Sequence, residues 1–278
     1  MSMLYVTSDL HFGHSSEGNR AIESLARWLK EHCQPEDVLL LGGDLSNDDD
    51  GIRSCLRLFR NVEARKAAIA GNHDVWVSAE ADSWERFLHT ADLFEQEGFH
   101  PLEREPLIVG DVAYVGTMGW YDYSFREHIG IALEWYRSKV FPGDHEPIWS
   151  DAEYVRWTHS DTEVAALLAE KFARHLHEVR NAGEVVPILH HLPTSNLLFR
   201  PRFLVPRRWR FANAFLGSER FGDIIASRSN IRTAFCGHSH MQRAARIGRA
   251  TCWSVGSDYA KPRLLMCRDG RVQSRRFS

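Results

Sequence analysis

Short apolar runs recur along the chain, and most of them end in Gly, Asp, Asn or His. Leu4-Tyr5-Val6 leads to Asp9, Val38-Leu39-Leu40-Leu41 to Gly42-Gly43-Asp44, and Ala67-Ala68-Ile69-Ala70 to Gly71-Asn72-His73-Asp74. Val112-Ala113-Tyr114-Val115 meets Gly116, Val185-Val186-Pro187-Ile188-Leu189 meets His190-His191, and Thr233-Ala234-Phe235-Cys236 meets Gly237-His238-Ser239-His240. Runs this short and this continuously apolar predict buried strands. Between them, Ile22, Leu25, Ala26 and Leu29 repeat at helical spacing, as do Ile52, Cys55, Leu56 and Phe59. Val164, Leu167, Leu168 and Phe172 open a longer helix, with Ser160 or Asp161 as its cap. Thr251-Cys252-Trp253-Ser254-Val255 and Leu264-Leu265-Met266-Cys267 predict two more strands, the second turning back at Asp269-Gly270 toward Val272. Strands alternating with helices define an α/β fold with a substantially parallel sheet.

Two stretches break this rhythm. Residues 120–160 hold Trp120, Trp135, Trp149 and Trp157 with few clean periods. Residues 199–211 interleave Arg200, Arg202, Arg207, Arg208 and Arg210 with Phe199, Phe203, Trp209 and Phe211. Neither has the polar, Gly/Ser-rich boundaries of a linker. The expected organisation is one domain over residues 1–278, elaborated at about 120–180 and 195–220. The aromatics of 120–160 are read mainly as packing. The arginines of 199–211 are read mainly as a surface loop paired with local carboxylates, and secondarily as a phosphate-gripping flap.

Composition narrows the function. The chain has 278 residues with 34 Lys+Arg against 37 Asp+Glu, a formal net charge of −3, and 44% of its residues are hydrophobic. That is ordinary for a globular protein and ample for a core. The near-neutral balance argues against a dedicated nucleic-acid binder. No apolar run reaches the length of a membrane span, so no membrane partner is expected. Five cysteines without a C-x-x-C pair are read as reduced thiols, and the protein is expected to be cytoplasmic.

The fifteen histidines change the picture, because several fall at strand ends. In open α/β sheets, ligands bind beyond the carboxyl ends of the strands. There the chain presents Asp9-Leu10-His11, Gly43-Asp44, Asn72-His73-Asp74, His190-His191 and His238-Ser239-His240. Carboxylate, amide and imidazole donors without thiolate suit divalent Mn, Fe or Zn. In an extended strand end, residues i and i+2 face one side, so Asp9 and His11, or His238 and His240, could reach one ion. Gly43, Gly71 and Gly237 each precede a candidate ligand, where freedom of φ and close approach are useful.

The ordered run D-x-H, G-D, G-N-H-D, H-H, G-H-x-H resembles that of the calcineurin-like metallophosphoesterase superfamily, from Asp9 to His240. The resemblance implies a four-layer αββα sandwich of two mixed sheets flanked by helices. It implies a two-metal site, with Asp9, His11 and His240 on one ion, Asn72, His238 and either His190 or His191 on the other, and Asp44 bridging. His73 would be the catalytic histidine facing the leaving oxygen, Asp44 would serve both ions, and Asp74 would be structural. Two divalent ions sharing a water would lower its pKa for attack on phosphorus.

One departure is informative. Phosphoprotein phosphatases of the superfamily carry Gly-Asp-x-x-Asp-Arg-Gly, whereas this chain reads Gly43-Asp44-Leu45-Ser46-Asn47-Asp48-Asp49. Asn47 replaces the second Asp and can still orient His73, while the phosphate-gripping Arg is absent. A small-molecule phosphoester, phosphodiesters included, is therefore the expected substrate. A nuclease acting on nucleic-acid ends and a non-catalytic scaffold of the same fold are the alternatives.

Overall fold

Two six-stranded sheets lie face to face with helices on both outer surfaces, in a computed structural model describing residues 2–200 and 205–278. In the first sheet, β1 (Leu4–Thr7), β2 (Val38–Gly42), β3 (Arg65–Ile69) and β4 (His100–Pro101) run parallel. The antiparallel hairpin β11 (Arg263–Arg268) and β12 (Arg271–Arg276) completes it beside β1. Its turn is Asp269-Gly270, with φ of 52° and 74° at the two residues. Positive φ at both central positions is the two-residue turn that Asp-Gly favours.

In the second sheet, β6 (Val112–Thr117), β7 (Glu184–Leu189), β8 (Thr233–Cys236) and β10 (Ala250–Ser254) run parallel. Antiparallel edges β5 (Leu107–Val109) and β9 (Arg243–Ile247) close it.

The continuous apolar runs are explained by burial on both faces. Val38 and Leu40 point between the sheets, where Leu4, Val6 and Ile69 meet Ile188, Val186 and Phe235. Leu39 and Leu41 point outward under Ile22, Leu25 and Leu29 of α1 (Ser16–His32) and Ile52 and Leu56 of α2 (Asp49–Leu58). The second sheet is covered by α6 (Asp161–Glu178) and α8 (Glu219–Ala226), through Val164, Leu168, Phe172, Phe221 and Ile225. This is the four-layer sandwich.

Local signals agree with these elements. Ser15 caps α1 by accepting from the Gly18 amide, and Asp48 caps α2 through Gly51. Ser160 and Glu163 form a reciprocal capping box at the start of α6. Leu167 is a correction: it is 40% exposed, and Ala165 and Ala169 share the buried face instead. The helix α3 (Ser83–Gln96) and the strands β4, β5 and β9 are not singled out by apolar periodicity. Strands β4 and β5 are two and three residues long, and β9 is an edge strand rich in Arg and Ala.

Between β6 and α6 the chain forms two short helices, α4 (Leu133–Ser138) and α5 (Asp151–Tyr154). The buried Trp120, Tyr121 and Tyr136 of this stretch join the same apolar cluster as the outer face of the second sheet. In the basic stretch, Arg207, Arg208 and Arg210 belong to α7 (Arg207–Ala212) and its start, and turn toward residues 127–144. Arg207 donates to the Ile129 carbonyl, Arg208 pairs with Asp144 at 2.9 Å, and Arg210 with Glu127 at 2.6 Å. Arg202 and Phe203 lie outside the described residues. All five cysteines are buried and free, and among the described residues no helix is long and apolar enough to cross a membrane.

Candidate metal centre

The ends of five parallel strands, drawn from both sheets, converge on one point. Asp9 and His11 follow β1, Asp44 follows β2, and Asn72 and His73 follow β3. From the second sheet, His190 and His191 follow β7, and His238 and His240 follow β8. Three overlapping groups have donor atoms within 4.8 Å of one another: Asp9, His11 and His240; His11, Asp44 and His73; Asp44, His190 and His238. Asn72 Oδ1 joins them, 3.0 Å from His190 Nε2.

The backbone there is not the extended one that the spacing suggests. Asp9, His11, Asp44, His238 and His240 all have positive φ, between 46° and 67°. Non-glycine residues in this region cost free energy and persist only where their surroundings enforce it. The enforcement is visible: the amides of Asp9 and His11 donate to the carbonyls of Gly43 and Asp44, both at 2.9 Å. The His238 amide donates to Asp9 Oδ1 at 2.8 Å, and the His73 amide to Asp44 Oδ1 at 2.9 Å. The buried Asp74 carboxylate accepts from the amides of Asp44, Leu45, Ser46 and Gly71 at 2.7–3.1 Å. It therefore ties the turn after β2 to the turn after β3. Gly71 is needed for close approach, since a Cβ there would meet Asp44 Oδ1 at 2.2 Å.

The ring nitrogens test whether cations fit. His190 Nδ1 takes the Gly42 carbonyl at 2.9 Å. Its Nε2 faces Asp44 Oδ1 at 3.3 Å, Asn72 Oδ1 at 3.0 Å and His238 Nδ1 at 3.2 Å. One proton cannot serve three acceptors, whereas a cation among these lone pairs can. His11 is buried with neither ring nitrogen hydrogen-bonded. Buried polar atoms without partners are rare. His191 is different. Its Nδ1 takes the Met118 carbonyl at 3.1 Å, its ring packs edge-on against Trp120, and it lies outside the three donor groups.

Burial and charge act against each other across this cluster. Burial drives the imidazoles of His11 and His238 well below their ordinary range. Burial and then the neighbouring His190 push His191 down to about 3. Burial is the largest single effect on His190 and opposes its protonation, but the Asp44 charge and hydrogen bond, the Asp9 charge and the Gly42 carbonyl together lift the ring to about 9. Burial would raise Asp44, yet His190, His73 and His11 together hold it well below the usual carboxylate range. Asp74 is raised to about 7 by burial and by the Asp44 charge.

His73 sits at the edge of the cluster, with its side chain 15% exposed. Its Nδ1 lies 3.0 Å from Asn47 Oδ1, the orienting contact expected from the sequence. Its ring stacks on Trp76 at 3.8 Å, and its Nε2 is 4.0 Å from Asp44 Oδ2. Burial lowers its pKa, and the Asp44 charge works the other way.

Three residues that the sequence reading missed complete the site: Trp76, Tyr259 and Asp151. Tyr259 stacks on His11 and His240 with ring centroids 4.3 and 4.9 Å apart. Asp151, buried at the start of α5, accepts from Asn72 Nδ2 at 2.9 Å, Trp76 Nε1 at 3.0 Å, Trp149 Nε1 at 2.8 Å and the Tyr121 hydroxyl at 3.3 Å. Holding Asn72 Nδ2 turns the amide oxygen toward His190. Most aromatics of residues 120–160 thus pack as expected, Trp135 and Tyr154 being exposed, and the stretch also carries a carboxylate into the site. Nothing in the sequence sets it apart from the other acidic residues of this stretch, such as Asp144, Glu146 and Glu153.

A cavity of about 290 Å³ opens on the cluster, lined by Asp44, Asn72, His73, Trp149, His238 and His240 among others. Trp76 joins it to a neighbour of about 540 Å³ that includes His11, His14, Asn47 and Tyr259. It also borders a groove of about 880 Å³ that carries Asp48, Asp49, Asp50 and Tyr154. Among the described residues, no Lys or Arg lines the two inner cavities.

Paired mixed sheets with an Asp/His/Asn cluster at their shared strand ends define a metallophosphoesterase. Residues 3–242 match the family described as calcineurin-like phosphoesterase, and the chain belongs to that family. It is 30% identical over 131 residues to the [acyl-carrier-protein] phosphodiesterase PptH of Mycobacterium tuberculosis, a match covering 44% of this chain and 38% of that protein. The match therefore spans well under half the length of the curated relative. The crystal structure of phosphopantetheinyl hydrolase PptH from the same organism superposes with a TM-score of 0.70 at 20% identity, covering 93% of this chain and 90% of that one. A dimetal phosphatase from Danio rerio gives 0.51 at 11% identity, covering 100% of this chain and 98% of that one. At these identities the two structures speak for the fold alone.

Proposed function

We propose that the protein is a two-metal phosphodiesterase of small-molecule phosphodiesters. The observation that carries this reading is the convergence of Asp9, His11, Asp44, Asn72, His190, His238 and His240 at the strand ends of both sheets. Asp9, His11, His240 and Asp44 would hold one divalent cation, and Asp44, Asn72, His190 and His238 the other. His190 rather than His191 takes this role, because its Nε2 faces Asp44 and His238. Mn, Fe and Zn all suit such donors. When bound, the cations polarise the phosphoryl group and supply the hydroxide nucleophile.

The remaining steps belong to the chain. Asn47 holds His73 Nδ1–H, and Trp76 fixes the ring plane by stacking. As the imidazolium, His73 would give its Nε2 proton to the leaving oxygen and keep Nδ1–H on Asn47. Asp151 keeps the Asn72 amide turned toward His190. Diesters are favoured over monoesters because, among the described residues, the inner cavities are lined by no Lys or Arg that would grip a second negative charge. The similarity to a protein named a phosphodiesterase supports the same choice. Asp48 and Asp50 at the mouth, beside an Asp49 that is paired with Arg86, leave it net acidic and disfavour a nucleic-acid strand.

The test is hydrolysis of bis(p-nitrophenyl) phosphate against p-nitrophenyl phosphate by metal-loaded protein, with Asp44→Asn alongside. Diester turnover that is lost in Asp44→Asn is expected. Preferred monoester turnover would overturn the diester assignment. No turnover in protein binding less than one ion per chain would overturn the enzyme reading and favour the scaffold.

A further inference from the structure

The near-neutral net charge conceals a strong segregation. Residues 228–278 hold ten Arg and one Lys against Asp258 and Asp269, a local charge of +9, so the rest of the −3 chain carries −12. Among the described residues, every Lys or Arg found in an ion pair lies at or before Arg220. None of the eleven cations in this last segment has a carboxylate partner among the described residues.

Three of them share a cavity of about 440 Å³: Arg232 just before β8, Arg246 on β9 and Arg249 in the turn into β10. The wall includes the hydroxyl residues Ser229 and Thr251 and the half-buried Trp253, and no carboxylate. Arg246 is partly anchored, donating to Thr251 Oγ1 at 3.2 Å and to the Gly248 carbonyl at 3.4 Å.

The same molecule shows what it does when its own arginines must converge. Arg53, Arg57 and Arg60 gather around the Glu97 carboxylate at 3.7, 2.9 and 3.3 Å. At Arg232, Arg246 and Arg249 no such counter-charge is built in. Like charges gathered in a concavity repel, and an anionic ligand relieves that repulsion. Guanidinium forks and hydroxyls match phosphate oxygens. Trp253, packed on one side against the core between the sheets, adds aromatic surface to the wall, and aromatic surface stacks with planar rings. The volume lies in the range of small-molecule sites.

The cavity sits at the opposite end of the sandwich from the metal centre. Thr233 and Thr251, at or beside the starts of the parallel strands β8 and β10, border it, while the far end of β8 leads to His238. We propose that it is a second ligand site, distinct from the metal centre, for a phosphorylated small molecule with a planar ring, of the size of a nucleoside diphosphate.

Binding of ADP and of pyrophosphate to the full-length Asp44→Asn protein, measured calorimetrically at low and high salt, tests this without turnover. One ADP site per chain is expected, tighter than pyrophosphate and weakened by salt. Arg246→Gln/Arg249→Gln should weaken ADP by about tenfold or more. Arg232→Gln, on a separate segment, should weaken it in the same direction. Full ADP affinity in these variants would overturn the proposal. So would an oligonucleotide that binds through the same arginines while ADP does not, which would make this edge a nucleic-acid surface. In the otherwise unaltered protein, the Gln pair should hydrolyse bis(p-nitrophenyl) phosphate as before, so failure here is separable from failure of the phosphodiesterase reading.

Discussion

At the scale of single residues, Asp44 and His73 occupy adjoining places, and the proposed chemistry gives them different work. Asp44 lies in two of the three donor groups, and its charge is the largest of the effects that lift His190 against burial. His73 hangs at the rim on Asn47 and Trp76. Asp44→Asn and His73→Ala are both expected to reduce diester hydrolysis by about 10² to 10⁴-fold. Only Asp44→Asn should lower bound metal by elemental analysis, and equal metal loss in both would refute the division of roles. The motif residues were legible because their order along the chain is specific. The choice between His190 and His191 was not, because neighbours in sequence differ only in which wall their rings meet. Trp76 and Asp151 were invisible for another reason. They act through hydrogen bonds and stacking across many residues, which leave no periodic trace.

At the scale of elements, strands deliver the side chains and turns aim them. Strand positions could be read from apolar runs, since a doubly buried strand has little else to show. The left-handed turns could not, because the positive φ falls mostly on the Asp and His residues themselves rather than on the preceding glycines. The short helix α5 contributes in the same indirect way. Removing Asp151 frees the Asn72 amide to rotate, and supporting contacts of this kind typically control metal affinity by about 10- to 100-fold. Asp151→Ala should therefore lose metal at lower chelator concentrations than the unaltered protein. The conservative Asp151→Asn should recover part of that loss, because one amide oxygen can still accept from Asn72. Identical chelator sensitivity in all three proteins would refute the positioning role.

At the scale of the whole molecule, the alternation of strand and helix made the layered α/β architecture legible. The concentration of unpaired arginines on β9 to β12 emerges only when charge is counted by segment. Stability carries its own pH signature. Glu103, just after β4, is fully enclosed and accepts from the Met118 amide on the second sheet's side. Burial pushes its carboxyl from 4.5 up to about 7. Between those values the folded protein binds the extra proton, so stability falls as pH rises, and the full cost of roughly 3 kcal/mol is present above pH 7. Glu103→Gln should raise the denaturation midpoint at pH 8 and leave it unchanged at pH 4. A variant less stable at pH 8 would refute this origin.

Because Asp9, His11, Asp44 and Asn72 hang from one sheet and His190, His238 and His240 from the other, the ions would act as rivets across a plane of shear. Apart from a few hydrogen bonds, such as His190 Nδ1 to the Gly42 carbonyl and the His238 amide to Asp9 Oδ1, the contact between the sheets is apolar, which resists separation far better than sliding. Chelation should then do more than stop turnover. It should lower the melting temperature and speed amide exchange in β1, β2, β7 and β8 together, as two plates come loose along a common seam.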